Sequence, residues 1–108
     1  MAEEFDPAEV KQACERYVKK KGALTFGLAN LETLERISPL GCGPSAMLPK
    51  VKSVLCVGVG GGTRGAWSAD AKTLAYIGDT ETMAYRVAYG LAFFLEAKFG
   101  YRSIFVPP

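Results

Sequence analysis

The sequence predicts an α/β fold, a single domain with a small sheet of about three strands covered by helices. Three features predict it. First, Val54-Leu55-Cys56-Val57-Gly58-Val59 is a nearly unbroken apolar run, stopped by Gly60-Gly61-Gly62, and it reads as a strand buried on both faces. Second, two longer segments, one near the start and one near the end, carry the apolar spacing of helices. Third, short apolar runs at residues 23–29 and 101–106 supply neighbouring strands. A chain of 108 residues is near the commonest domain size and long enough to bury one core.

In chain order, Asp6-Pro7-Ala8-Glu9 is a helix start. Asp6 can cap free amides, Pro7 fits the first helical position, and Glu9 can reach back in a capping box. Phe5 and Val10 are placed to staple that cap. Val10, Ala13, Cys14, Tyr17 and Val18 form one apolar stripe. Lys19, Lys20 and Lys21 complement the negative helix end and Gly22 stops it, which accounts for the basic run without a phosphate site.

Residues 23–29 form a weaker strand interrupted by Gly27. Asn30 caps a short helix with Leu31, Leu34 and Ile37 on one face, and Ser38-Pro39 ends it. A loop rich in turn formers leads to the 54–59 strand. Beyond the glycines, Ser68 is expected to begin a short helix within 66–78, and Asp79 or Thr80 to cap a new helix over about 82–99. That last helix carries Met83, Val87, Gly90, Leu91, Phe94 and Leu95 on one stripe, and Ala84, Tyr85, Ala88, Tyr89, Ala92 and Phe93 elsewhere. A helix apolar nearly all round requires cover on more than one side. Gly100 stops it, and residues 101–106 are expected as the third strand.

Composition excludes several classes. Thirteen basic and eleven acidic residues leave a net charge of +2, too balanced for a nucleic-acid footprint. The acidic start Met1-Ala2-Glu3-Glu4 lacks the layout of a signal peptide, and no run approaches the ~20 apolar residues of a membrane span. The cytoplasm is the expected compartment, with no nucleic-acid and no membrane partner.

No histidine is present, which removes the usual general base and every Ser-His or Cys-His nucleophile. Of the three cysteines, Cys14 and Cys56 are expected to be packing residues, and Cys42, between Gly41 and Gly43, to be accessible. A reactive thiolate there would need a nearby cation or helix N-terminus. An enzyme acting alone would depend on Cys42, and no catalytic or metal-binding residue is assigned.

The glycine run contains G-x-G-x-x-G at Gly60, Gly62 and Gly65. Glycines after a strand let amides approach a phosphate, so Gly60, Gly61, Gly62, Thr63 and Arg64 are the candidate cofactor-binding residues, for a corrinoid, a flavin or another anionic ligand. The dinucleotide fingerprint also needs an acidic residue ending the next strand, and here Asp79 precedes a helix. A flexible turn is the competing reading. Tyr85, Tyr89, Phe93 and Phe94 are read as core or an oligomer interface before a flat cofactor wall.

Four stretches carry a resemblance. They are Gly22-Ala23-Leu24-Thr25-Phe26-Gly27-Leu28-Ala29, then Leu48-Pro49-Lys50-Val51-Lys52-Ser53-Val54-Leu55-Cys56-Val57-Gly58, then Ala84-Tyr85-Arg86-Val87-Ala88 through Phe94-Leu95-Glu96, and finally Gly100-Tyr101-Arg102-Ser103-Ile104-Phe105-Val106-Pro107-Pro108. In this order they resemble the N-terminal region of the epoxyqueuosine reductase and reductive dehalogenase superfamily of iron–sulfur, corrinoid-linked proteins. The resemblance implies an oxidoreductase as the full-length relative, with a corrinoid-binding portion and cysteine clusters for two 4Fe–4S centres further along. The three scattered cysteines here cannot reproduce the C-x₂-C-x₂-C-x₃-C-P run of such a cluster. The expected function is a non-catalytic scaffold or interaction module, assembling through its last helix with a second copy or with a chain that covers residues 82–99.

Overall fold

A computed structural model describes residues 5–60, 64, 68 and 72–106. Helix α1 spans Pro7–Lys20, strand β1 Thr25–Ala29, helix α2 Leu31–Ile37, helix α3 Pro44–Met47, strand β2 Val54–Gly58 and helix α4 Lys72–Phe99. This is a mixed α/β domain.

Both ends of α1 follow from local chemistry. The Asp6 carboxylate accepts from the Ala8 amide at 3.0 Å, with Pro7 at the first helical position. At the other end the Gly22 amide donates to the Lys19 carbonyl at 3.2 Å and the Ala23 amide to the Val18 carbonyl at 2.9 Å. This pair of bonds is a Schellman stop, and Gly22 supplies its left-handed residue at φ 109°. The accompanying apolar contact is in place too, since Val18 and Ala23 are both buried.

Strands β1 and β2 pair antiparallel, with Phe26 opposite Val57, Gly27 opposite Cys56 and Leu28 opposite Leu55. Directly opposed residues share a face. Phe26, Leu55 and Val57 therefore pack on the helices, while Cys56 points away from them and is exposed. This corrects two expectations. Among the described residues the 54–58 strand is covered on one face, not both, because α1 and α4 lie on the same side of the sheet. Cys56 is consequently not a packing residue.

The core sits between α1 and α4. Ala13, Cys14 and Val18 from α1, Ala23, and Val87, Leu91, Leu95 and Phe99 from α4 are its buried members. Phe5 closes one end edge-on against Phe99 at 4.9 Å. At Gly90 the two helices come close enough for the Tyr17 ring to lie over α4, stacked on Phe94 at 4.6 Å and 15°.

One more expectation changes. The helix expected to start near Thr82 is the end of one 28-residue helix running from Lys72, so Asp79 and Thr80 are interior. Polar residues cost at most ~0.7 kcal/mol and glycine ~1 kcal/mol in a helix interior. Breaking the helix would leave four amides and four carbonyls to satisfy. Ser68 has helical backbone and its hydroxyl donates to the Arg64 carbonyl at 2.9 Å; the residues on either side of it, where the helix start within 66–78 is expected, lie outside the described residues.

Among the described residues the sheet has two strands, and the expected third at residues 101–106 lies outside it. The chain instead turns at Gly100, φ 74°, and runs back along α4. Phe105 packs on Tyr85 and Tyr89. The stripe of α2 (Leu31, Leu34, Ile37) has no buried member.

Candidate functional site

Helix α4 has two working faces. At 100° per residue, Val87, Leu91 and Leu95 recur on one side and enter the core. Tyr85, Tyr89 and Phe93 recur on another, and they are 40%, 51% and 59% exposed. These values define an aromatic ridge that the fold itself leaves open.

The 101–106 segment turns this ridge into a cleft. Phe105 sits edge-on to Tyr85 at 6.0 Å and 79°, and to Tyr89 at 5.3 Å and 90°. Tyr89 meets Phe93 at 4.9 Å and 61°. An open cleft of about 340 Å³ lies here, lined by Tyr89, Phe93, Glu96, Ser103, Ile104 and Phe105 together with Ala92. The Ser103 amide donates to Glu96 Oε2 at 3.2 Å, and the Ser103 hydroxyl donates to the Tyr101 carbonyl at 2.9 Å. Together these bonds pin the returning chain to the helix beside the cleft. The Glu96 carboxylate is exposed, and it forms no ion pair among the described residues.

The other candidate residues are dispersed. Gly60 lies beside Leu24, whose Cδ1 would be 3.5 Å from a Cβ at that position. Gly61, Gly62 and Thr63 lie outside the described residues. Arg64 is exposed on helical backbone. Cys42 is exposed in its loop, where its amide donates to the Pro39 carbonyl at 2.9 Å. Cys14 is buried between the helices, and burial pushes its thiol pKa up, partly opposed by the nearby Lys98 ammonium. Among the described residues no three His, Cys, Asp or Glu side chains converge. No helix among the described residues is long and apolar enough to cross a membrane.

No protein-family profile, curated protein or solved structure matches this chain.

Sequence reasoning singled out Tyr85, Tyr89 and Phe93 and grouped Phe94 with them. The structure separates Phe94, which stacks on Tyr17. Phe105, Ile104 and Glu96 were not recognised as part of the surface. Residues 101–106 end in the β-branched and aromatic run Ile104-Phe105-Val106, which reads as a strand, and nothing in its spacing reports that it folds back on the helix. The rings also meet at steep angles and do not make a flat wall.

Proposed function

We propose that this chain is a non-catalytic interaction module that assembles through the aromatic ridge of α4. One observation carries the reading. Tyr85, Tyr89 and Phe93 stand exposed in a row on a helix whose opposite face is core. Contiguous aromatic surface of this kind typically marks an interaction site, and Tyr and Phe are enriched at interface centres. In this reading, which draws on the resemblance of the four stretches, the module is the N-terminal part of an epoxyqueuosine reductase- or reductive dehalogenase-like protein, and its ridge is the surface for a second copy or for a second chain or domain.

Sedimentation velocity tests the self-associating form. A dimer or larger species is expected at micromolar concentration, and Tyr89→Ser with Phe93→Ser should return it to monomer with an unchanged circular dichroism spectrum. A stable, soluble monomer of the unaltered chain would count against the reading.

A second reading, a small domain binding a corrinoid, flavin or other anionic ligand, is favoured by the exposed Arg64 shortly after Gly60. Titration with cobalamin, FMN and nucleotides decides it. Absence of binding, or binding untouched by Arg64→Ala, removes it.

A further inference from the structure

Two opposite charges frame the aromatic ridge. Between Thr82 and Ala97 the only charged side chains of α4 are Arg86 and Glu96. Both are exposed, and neither forms an ion pair among the described residues. They stand about 15 Å apart along the helix axis, too far to pair within one chain. Around the axis they lie about 80° apart, one on each side of the line on which Tyr89 and Phe93 lie about 40° apart. Both pairs are centred on position 91, and Leu91 itself is buried in the core on the opposite side of the helix. Tyr85 and Ala97 share that centre too, a ring matched to a small exposed side chain.

We infer that the occupant of the ridge is a second copy of this chain, packed antiparallel about a two-fold axis level with Leu91. This rests on the interaction reading and supplies its partner and register. Such an axis brings residues equally far from position 91, on opposite sides of it, to one level across the interface. Arg86 of each copy then meets Glu96 of the other, so both ends of the contact carry an opposite-charge pair. Tyr89 meets Phe93, and Tyr85 lies over Ala97. The cleft of about 340 Å³ beside Phe93, walled by Ile104 and Phe105, has room for the Tyr89 ring of the other copy. Glu96 takes the incoming guanidinium through Oε1, since Oε2 holds the Ser103 amide. Other arrangements lose these pairs. A parallel copy sets Arg86 beside Arg86 and Glu96 beside Glu96, and an antiparallel copy centred on Tyr89 sets Arg86 against Ala92 and Glu96 against Thr82. A contact that uses the same patch on both chains closes at two.

Charge reversal tests the register by sedimentation of the full chain across the micromolar range, with circular dichroism to show that each variant is folded. The parent should form a dimer and nothing larger. Arg86→Glu and Glu96→Arg should each weaken the dimer about tenfold, because each turns both symmetric pairs into like charges. The chain carrying both substitutions restores opposite pairs, and so does an equimolar mixture of the two single variants. Both should return to within about threefold of the parent dissociation constant. A dimer that neither reversal weakens, or losses that neither the double variant nor the mixture recovers, would overturn the antiparallel register and leave assembly through the ridge standing. A parent that stays monomeric would overturn this inference together with the self-associating form of the assembly reading, and would leave the ridge to a different chain.

Discussion

Replacing Gly90 with alanine sets two terms of similar size against each other. In a helix interior the change stabilises by about 1 kcal/mol through backbone entropy. Here, however, a Cβ at position 90 would lie 2.6 Å from Tyr17 Oη, while the ring carbons Cζ and Cε1 stand at an ordinary 3.6 and 3.7 Å. The hydroxyl oxygen must therefore retreat by roughly 0.8 Å to reach normal contact. It is not free to do so cheaply. The ring stacks on Phe94 at 4.6 Å and lies under the Lys21 ammonium at 5.7 Å. Forcing extra volume into packed surroundings costs about 1–3 kcal/mol, and the ring pair contributes about 0.5–1.5 kcal/mol that a shift would erode. Taking ~2 kcal/mol for the strain leaves Gly90→Ala destabilising by about 1 kcal/mol. In a Tyr17→Phe background the clashing atom is gone and the ring carbons already clear the new methyl. There the same change should stabilise by about 1 kcal/mol. The coupling is then about 2 kcal/mol, within the range seen for residues in contact. For a domain of this size each kcal/mol moves the melting temperature by about 4–8 °C. Thermal and urea melts of the four chains measure it. Coupling below ~0.3 kcal/mol, or a Gly90→Ala chain more stable than the parent, would refute the packing of Tyr17 over α4.

Other outcomes follow from the same structure. Leu91, 5% exposed at the centre of the core, should cost about 2–5 kcal/mol as Leu91→Ala, read from urea midpoints. Asp6→Ala removes the cap on the Ala8 amide and should cost about 1 kcal/mol, with loss of helical signal confined to the first turns. A thiol reagent should label Cys42 and Cys56 quickly in the native chain and Cys14 only on unfolding, since only Cys14 is buried; rapid native labelling of Cys14 would mean that α1 and α4 are not packed as described. Because burial raises the Cys14 thiol, the folded chain keeps this proton at a pH where the unfolded chain has lost it. Its contribution is full below the ordinary thiol range and declines as pH rises through it. The urea midpoint of the parent should fall more steeply above that range than that of Cys14→Ala.

Much of the fold was legible because it is written in local chemistry. The start of α1 at Asp6-Pro7, its stripe through Ala13, Cys14 and Val18, its stop at Gly22 and the Asn30 cap of α2 each depend on residues within one or two turns. The strand at 54–58 and its partner at 25–29 were recognisable from apolar runs bounded by glycine. The start of α4 was misread for a related reason. Asp79-Thr80-Glu81-Thr82 is a good cap in isolation, yet continuing the helix costs less than ending it there.

The aromatic side chains were legible as too many for one helix to bury, but their destination was not. Periodicity states which residues share a face of α4. Which face meets α1 and β2 is decided by packing, where Gly90 admits Tyr17 and Val87, Leu91 and Leu95 fill the gap. Likewise the extended segment at 101–106 is equally compatible with a strand and with a chain returning along a helix, because both are extended backbone that exposes every second side chain. Only the tertiary structure sets Phe105 against Tyr85 and Tyr89 and binds Ser103 to Glu96. By itself, then, the sequence determined both ends of α1, the Asn30 start of α2, the Gly100 stop of α4, the helical stripes and the two apolar strand segments, since those energies act over a few residues. The one-sided cover of the sheet and the aromatic cleft were decided by contacts between residues far apart in the chain, whose pairing no local pattern encodes.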